Sequence, residues 1–351
     1  MVCIAAFIIL ALIGGIVAII SIFKPKVGKS YWKMFKKAWG CLSKKIRLQK
    51  CETGFKEDVK NTILSRVIIK HPKWAKPLSI VVEVISVVIV VVVVWAIITA
   101  VKSLLALWVL GTCNVTKPAA CTLGAEMCSV DEAEPTNPWE GTVRWFEEWG
   151  EIFGAIPDKF RDFKAEEYQF NYITMNTNSA DKPVAVDIFD PGCSVCATSF
   201  TNQKNSGFFN NYNVRLVPFA IKDPDGNYKF KNSGLIVKYL FAVEEVHSGL
   251  AVQILEKIFT EKGNYEGMEI SYQNLFNQEY DEETARQTLE TWLGEFGLDA
   301  GAIAQIRQIA NYPEITTKQE QNHQIIDNEI HVRGIPTMIY DGKKHTGLYR
   351  P

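Results

Sequence analysis

Two stretches of the chain break the usual alternation of apolar and polar residues. Residues 2–23 (VCIAAFIILALIGGIVAIISIF) carry no charge, and residues 84–101 are again uncharged, with eight valines between Val84 and Val94. A bilayer core about 30 Å thick needs roughly 20 apolar residues of helix. The pattern therefore predicts two transmembrane helices, over 1–23 and 78–110. The first reads as an uncleaved anchor, because it lacks a basic segment ahead of it and is longer than a signal-peptide core.

Beyond the second span the pattern shortens. Thr112–Pro138 holds three cysteines, three prolines and turn residues, and reads as a loop or small stapled segment,. Aromatics at Trp145, Phe146, Trp149, Phe153, Phe160 and Phe163 follow at near-helical spacing,. Packing on the next domain is the plainest role for them; a membrane surface or a dimer contact are the others. From Glu166 strands and helices alternate. YQFNYITM (168–175), KPVAVDIFD (182–190) and VRLVPFAI (214–221) read as strands, and a helix opens at Cys193. Helical spacing then fills 233–246, 248–262, 282–296, 299–310 and 316–332, and GIPTMIYDGKKHTG (334–347) reads as a hairpin turning at Asp341-Gly342,. This is an α/β order with a helical insertion over about 233–315.

Charge fixes an orientation. The net charge is −1, but between Lys24 and Pro77 there are 16 Lys and Arg against 3 Asp and Glu, a net of +13 that leaves −14 for the rest. Short loops rich in Lys and Arg stay in the cytoplasm. The segment 24–77 is thus expected inside, with the N-terminus, the linker 111–165 and the domain 166–351 extracytoplasmic. Contact of the basic loop with anionic lipid is compatible with this, and nucleic-acid binding is not needed to explain the charge. Glu83 and Lys102 bracket the second span and read as snorkelling residues.

The candidate chemistry lies in the cysteines. Cys193-Ser-Val-Cys196 follows a strand and starts a helix. A helix N-terminus favours thiolate over thiol. That predicts an exposed nucleophile at Cys193 and a shielded resolving thiol one turn on, at Cys196. A zinc knuckle is the rival, but a structural zinc site takes four ligands. The chain has no second C-x-x-C, and its five His are scattered. No metal or cofactor is therefore expected. Asp187 lies within an apolar strand six residues before Cys193, where burial raises a carboxyl pKa and equips it to move the Cys196 proton. Gly334-Ile-Pro-Thr337 sets a proline just before a strand, a context for a cis bond. Cys113, Cys121 and Cys128 are an odd set. Two of them are expected to form a structural disulfide. The third is left free, pairs between chains, or exchanges with the active site; a stapled loop without a catalytic part is the plainest reading. Cys41 and Cys51 face a reducing cytosol, and Asn114-Val-Thr116 matches a common sequon,.

VAVDIFDPGCSVC resembles the strand and active-site segment of thioredoxin-fold proteins, and VRGIPTMIYDGKKHTG resembles their cis-proline loop and hairpin. The intervening helices, with QNHQIIDNEIHVRGIPT, are similar to the DsbA branch of thiol–disulfide oxidoreductases. The resemblance covers 166–351. It implies a thioredoxin-like α/β domain behind two membrane helices, Cys193 as nucleophile, Cys196 as resolving thiol and Asp187 as proton acceptor. It further implies Pro336 as a cis-proline and Ile335 as a backbone partner for extended substrates. The implied partners are exported proteins with thiols or disulfides and a membrane redox partner for recycling. A thioredoxin-fold adaptor, a metal-binding module or a structural part of an envelope assembly are the competing functions. Ser194-Val195 is not the Pro-His of strong oxidants and supplies no positive charge, so oxidase, isomerase and reductase directions stay open. The chain stops at Tyr349-Arg-Pro351, where the family continues into a last helix, and reads as a fragment.

Overall fold

The computed structural model describes residues 75–115, 126–130, 137–175, 179–223 and 225–351, with scattered helical positions between 32 and 44. The expected first span and nearly all of the basic loop lie outside the described residues. The chain forms two compact units, 1–101 and 102–351.

Helix α1 runs Ala75–Leu110 and starts three residues earlier than expected. Its segment Val87–Leu110 is long and apolar enough to cross a membrane by length and composition,. Lys102 does not snorkel. It is buried, ion-paired with Glu148, and within 3.4 Å of the Trp145 carbonyl.

Among its described residues the linker carries strand β1 (Cys128–Ser129) and helix α2 (Pro138–Gly154). Asn137 caps α2, its side chain accepting from the Glu140 N–H at 2.9 Å,. The aromatics of this segment were expected to pack inward. Phe163 does pack into the core and Trp145 and Trp149 are half-buried, but Phe146, Phe153 and Phe160 are exposed. The helix is held by Ile152, which is fully buried, by Lys102–Glu148, and by Glu151 between Arg144 (3.0 Å) and Arg333 (3.2 Å).

The C-terminal domain is a mixed α/β, thioredoxin-like fold. Its five-stranded sheet has the order β2 (Ile173–Thr174), β4 (Asn213–Pro218), β3 (Val184–Phe189), β8 (Thr337–Tyr340), β9 (Lys343–Thr346). The central strand β3 is a nearly unbroken apolar run because both its faces are covered,. It lies parallel to β4, with Asp187 opposite Leu216, and antiparallel to β8, with Asp187 opposite Met338. Between β3 and β4 the chain crosses over through α3 (Ser194–Ser206) and α4 (Phe208–Asn211). Gly207, at φ +76°, ends α3 in the left-handed conformation that residues with a side chain rarely adopt,.

The insertion comprises α5 (Ser233–Val246), α6 (Leu250–Thr260), a β5–β6 hairpin (Lys262–Tyr265, Met268–Ser271) and α7 (Tyr272–Asn274). A π turn (Leu275–Glu279), α8 (Glu282–Glu295), α9 (Ala300–Ala310) and α10 (Pro313–Ile325) complete it. The hairpin was not expected; it turns on Glu266 and Gly267, both at positive φ. The strand expected over 168–175 shrinks to Ile173–Thr174. Tyr168 and Phe170 are core anchors there, and the Asn171 N–H goes to the Asn322 side chain (2.9 Å) in place of a ladder bond. Strand β7 (Gly334–Ile335) precedes a cis Ile335–Pro336 bond and pairs antiparallel with β1. At the end of the chain, Tyr349 packs on Phe208, and its carbonyl accepts from Asn202 at 2.9 Å.

Candidate active site

The site is built where β3 hands over to α3. Asp190 turns the chain. It is fully buried, and its Oδ1 accepts from Gly192 N–H and Ser233 Oγ, both at 2.7 Å, while Oδ2 accepts from Ile221 N–H at 2.7 Å. Burial pushes its pKa up, against those three donors, to about 6,. Gly192 has no room for a side chain, since a Cβ there would run into the Phe230 ring. The turn's carbonyls are held from the insertion. Gln273 Nε2 donates to Pro191 O (2.8 Å) and Cys193 O (3.1 Å), and Asn277 Nδ2 donates to Gly192 O (2.8 Å).

Cys193 is the N-cap of α3, and Cys196 sits one turn in. Cys196 is a free, buried thiol whose pKa is raised well above the ordinary value by burial, and further by the nearby Asp187 and Asp190 charges,. Asp187 lies beneath it on β3 and is almost fully buried. Burial lifts its pKa to about 6, and the Gln203 Nε2 bond at 2.8 Å pulls the other way. Its second oxygen, Oδ1, has no hydrogen-bond partner among the described residues. An acid with one bonded and one bare oxygen can take up a proton without breaking a bond.

The cysteine pairing matches an alternative left open for the third linker cysteine, engagement of the active site, and not the plainest reading of a stapled loop. Cys193 is bonded to Cys128, at a Cα–Cα distance of 6.3 Å and 65 residues apart in sequence, while Cys196 stays reduced. Cys128 is therefore not part of a staple with Cys113 or Cys121. Cys113 is itself disulfide-bonded, and Cys121 lies outside the described residues. Cys193 was expected to be exposed but is fully buried, because the Cys128 segment covers it.

Ile335 and Pro336 lie beside this disulfide, with Cys193 Sγ 4.0 Å from the Ile335 carbonyl. The backbone edge expected to receive an extended substrate is occupied by β1, with Cys128 opposite Ile335 and Ser129 opposite Gly334. A cavity of about 690 Å³, lined by Glu151, Asp158, Arg161, His331, Arg333 and Lys344 among others, includes none of the cysteines. Among the described residues no three His, Cys, Asp or Glu are grouped to hold a metal ion.

Sequence reasoning missed Asp190, Gln273 and Asn277. An Asp ahead of Pro-Gly is a turn signal and could have drawn attention to the first. The two amides bond backbone some 80 residues away, which no local pattern announces.

No protein-family model matches the chain, and no curated protein matches it. Among solved structures it is similar to the thiol-disulfide exchange protein alpha-DsbA2 from Wolbachia pipientis, at 15% identity and TM-score 0.36 over 51% of this chain and 81% of that one. A thioredoxin-like oxidoreductase from Silicibacter pomeroyi DSS-3 matches at 16% identity and TM-score 0.33, over 48% and 79%. ScsC from Proteus mirabilis, in a transitional conformation, matches at 11% and 0.32, over 60% and 87%.

Proposed function

We propose that residues 166–351 form a thiol–disulfide oxidoreductase held to a membrane by the apolar helix, with Cys193 as nucleophile, Cys196 as resolving thiol and Asp187 as its proton acceptor. One observation carries the reading: Cys193 caps a helix N-terminus and is already engaged in a disulfide with an extended strand paired to the Ile335 edge. That is the covalent and backbone arrangement a mixed disulfide with a substrate would need. The buried Cys196 thiol beside Asp187, whose pKa of about 6 lies near neutral, supports a proton transfer that readies Cys196 for attack,.

The +13 loop and the Val87–Leu110 helix support a two-pass anchor with the domain extracytoplasmic, acting on exported proteins and recycled by a membrane redox partner,. Ser194-Val195 leaves the direction to the potential. A value near about −120 mV marks an oxidase and one near about −270 mV a reductase.

The test uses the full chain in detergent. It should reduce insulin with a dithiol donor or refold reduced RNase, and Cys193→Ala should abolish both. Activity in Cys193→Ala equal to wild type overturns the reading. Substrate trapping is to be done in Cys128→Ser/Cys196→Ala, since in Cys196→Ala alone Cys128 competes for the nucleophile.

A further inference from the structure

The strand on Cys193 belongs to the same chain, and its fit is specific. Beyond the two paired positions, Val130 N–H donates to Arg333 O at 3.1 Å, and Leu348 N–H donates to Glu126 O at 2.8 Å. Lys229 Nζ donates to the Ser129 carbonyl at 3.2 Å. Met127 and Val130 are both buried. Met127 rests on Gly334, where any Cβ would overlap its sulfur. Five residues thus use backbone, side chain and sulfur together on the edge where an extended peptide would dock.

We propose that residues 126–130 are a covalent latch, the chain's own strand closing the peptide groove, and that Cys128 is a third redox cysteine which Cys196 displaces to open the site. This rests on the oxidoreductase reading of Cys193 and Cys196. The Cys196 thiolate attacks Cys193 Sγ. The Cys193–Cys128 bond breaks as the Cys193–Cys196 bond forms. Cys128 leaves as thiolate and takes up the proton that Cys196 gave to Asp187. One thiol and one disulfide stand on each side of the exchange, so no outside oxidant or reductant is consumed. The freed edge then accepts a substrate of the same chemistry: an extended segment whose cysteine follows a flexible apolar residue, as Cys128 follows Met127.

The test is a disulfide map of the full chain in detergent. The protein is oxidised with glutathione disulfide, acid-quenched, alkylated and digested without reduction. Cys196→Ala should yield Cys128–Cys193. Wild type should yield both Cys128–Cys193 and Cys193–Cys196, and Cys128→Ser only the latter. Recovery of Cys128 and Cys193 as separate glutathione adducts in Cys196→Ala overturns the latch. Wild type lacking any Cys193–Cys196 pair overturns the exchange.

A second measurement uses the peptide of residues 125–131, activated at its cysteine as a thionitrobenzoate disulfide, against reduced Cys128→Ser/Cys196→Ala. Recognition of the strand should make it react roughly tenfold faster than glutathione activated in the same way, equivalent to about 1.4 kcal/mol. Equal rates overturn recognition of the strand. The two readings fail separately. Insulin turnover absent from both wild type and Cys128→Ser, with Cys128–Cys193 still mapped in Cys196→Ala, sinks the oxidoreductase. A missing Cys128–Cys193 pair with turnover intact sinks the latch.

Discussion

Asp187 and Asp190 stand three positions apart, on either side of the handover from β3 to the Cys193 turn. Both are buried, and burial lifts both to about 6. Their surroundings are opposite. Asp190 accepts three hydrogen bonds from three separate elements, which fill three of a carboxylate's roughly four acceptor sites,. Asp187 accepts one, from Gln203, and keeps Oδ1 bare among the described residues. Similar pKa values therefore describe a fastener in one case and a group equipped to handle a proton in the other. For buried acids, the number of occupied lone pairs separates the two roles better than the pKa does.

The largest effect should come from Asp190→Ala. It leaves two backbone N–H groups and the Ser233 hydroxyl without their acceptor, at about 1–3 kcal/mol each, and relief of the buried charge offsets part of this. We expect a net loss on the order of 3 kcal/mol in denaturant unfolding, with the Cys193 turn displaced. A variant as stable as wild type would erase the contrast.

Asp187→Asn should move stability the other way. The native carboxyl holds its proton to higher pH than the unfolded one. The group's contribution is therefore full in acid and falls as pH rises from 3.8 through about 6,. Removing the charge should gain on the order of 2 kcal/mol at neutral pH and nothing near pH 4. The same variant should slow resolution by Cys196 about 100-fold in stopped-flow thiol exchange. Stabilisation without slowing would make Asp187 a burial defect and nothing more.

Gln203→Ala should have the smallest effect, about 1 kcal/mol of stability. The Gln203 bond lowers the Asp187 pKa, so its loss should move the midpoint of the resolution pH profile upward. An unmoved midpoint would detach the profile from Asp187.

How much of this was legible depends on how local each signal is. Val184–Phe189, the turn, Cys193 and Cys196 are contiguous, so a short apolar run and the spacing after it reveal the strand, the helix start and the buried position of Asp187. The Gly334–Thr337 loop is contiguous too, and its cis bond follows a proline set before a strand. Which of the three linker cysteines would reach Cys193 was not legible, because cysteine counts carry no connectivity,. The expectation of an exposed Cys193 failed for the same reason: burial came from residues 126–130, 65 positions away at the sulfur. Lys102 read as a snorkelling residue because Glu148, which meets it, lies on another helix.

The amides of Gln273 and Asn277 reach back 80 to 85 residues to hold the carbonyls of Pro191, Gly192 and Cys193. Contacts of such span form late, since the long loop must close first. During synthesis the sulfur of Cys193 leaves the ribosome well before the segment that orients it. Its chemistry is thus set by the order of assembly as well as by its final neighbours: until the insertion docks, it is an ordinary cysteine on an unfinished chain.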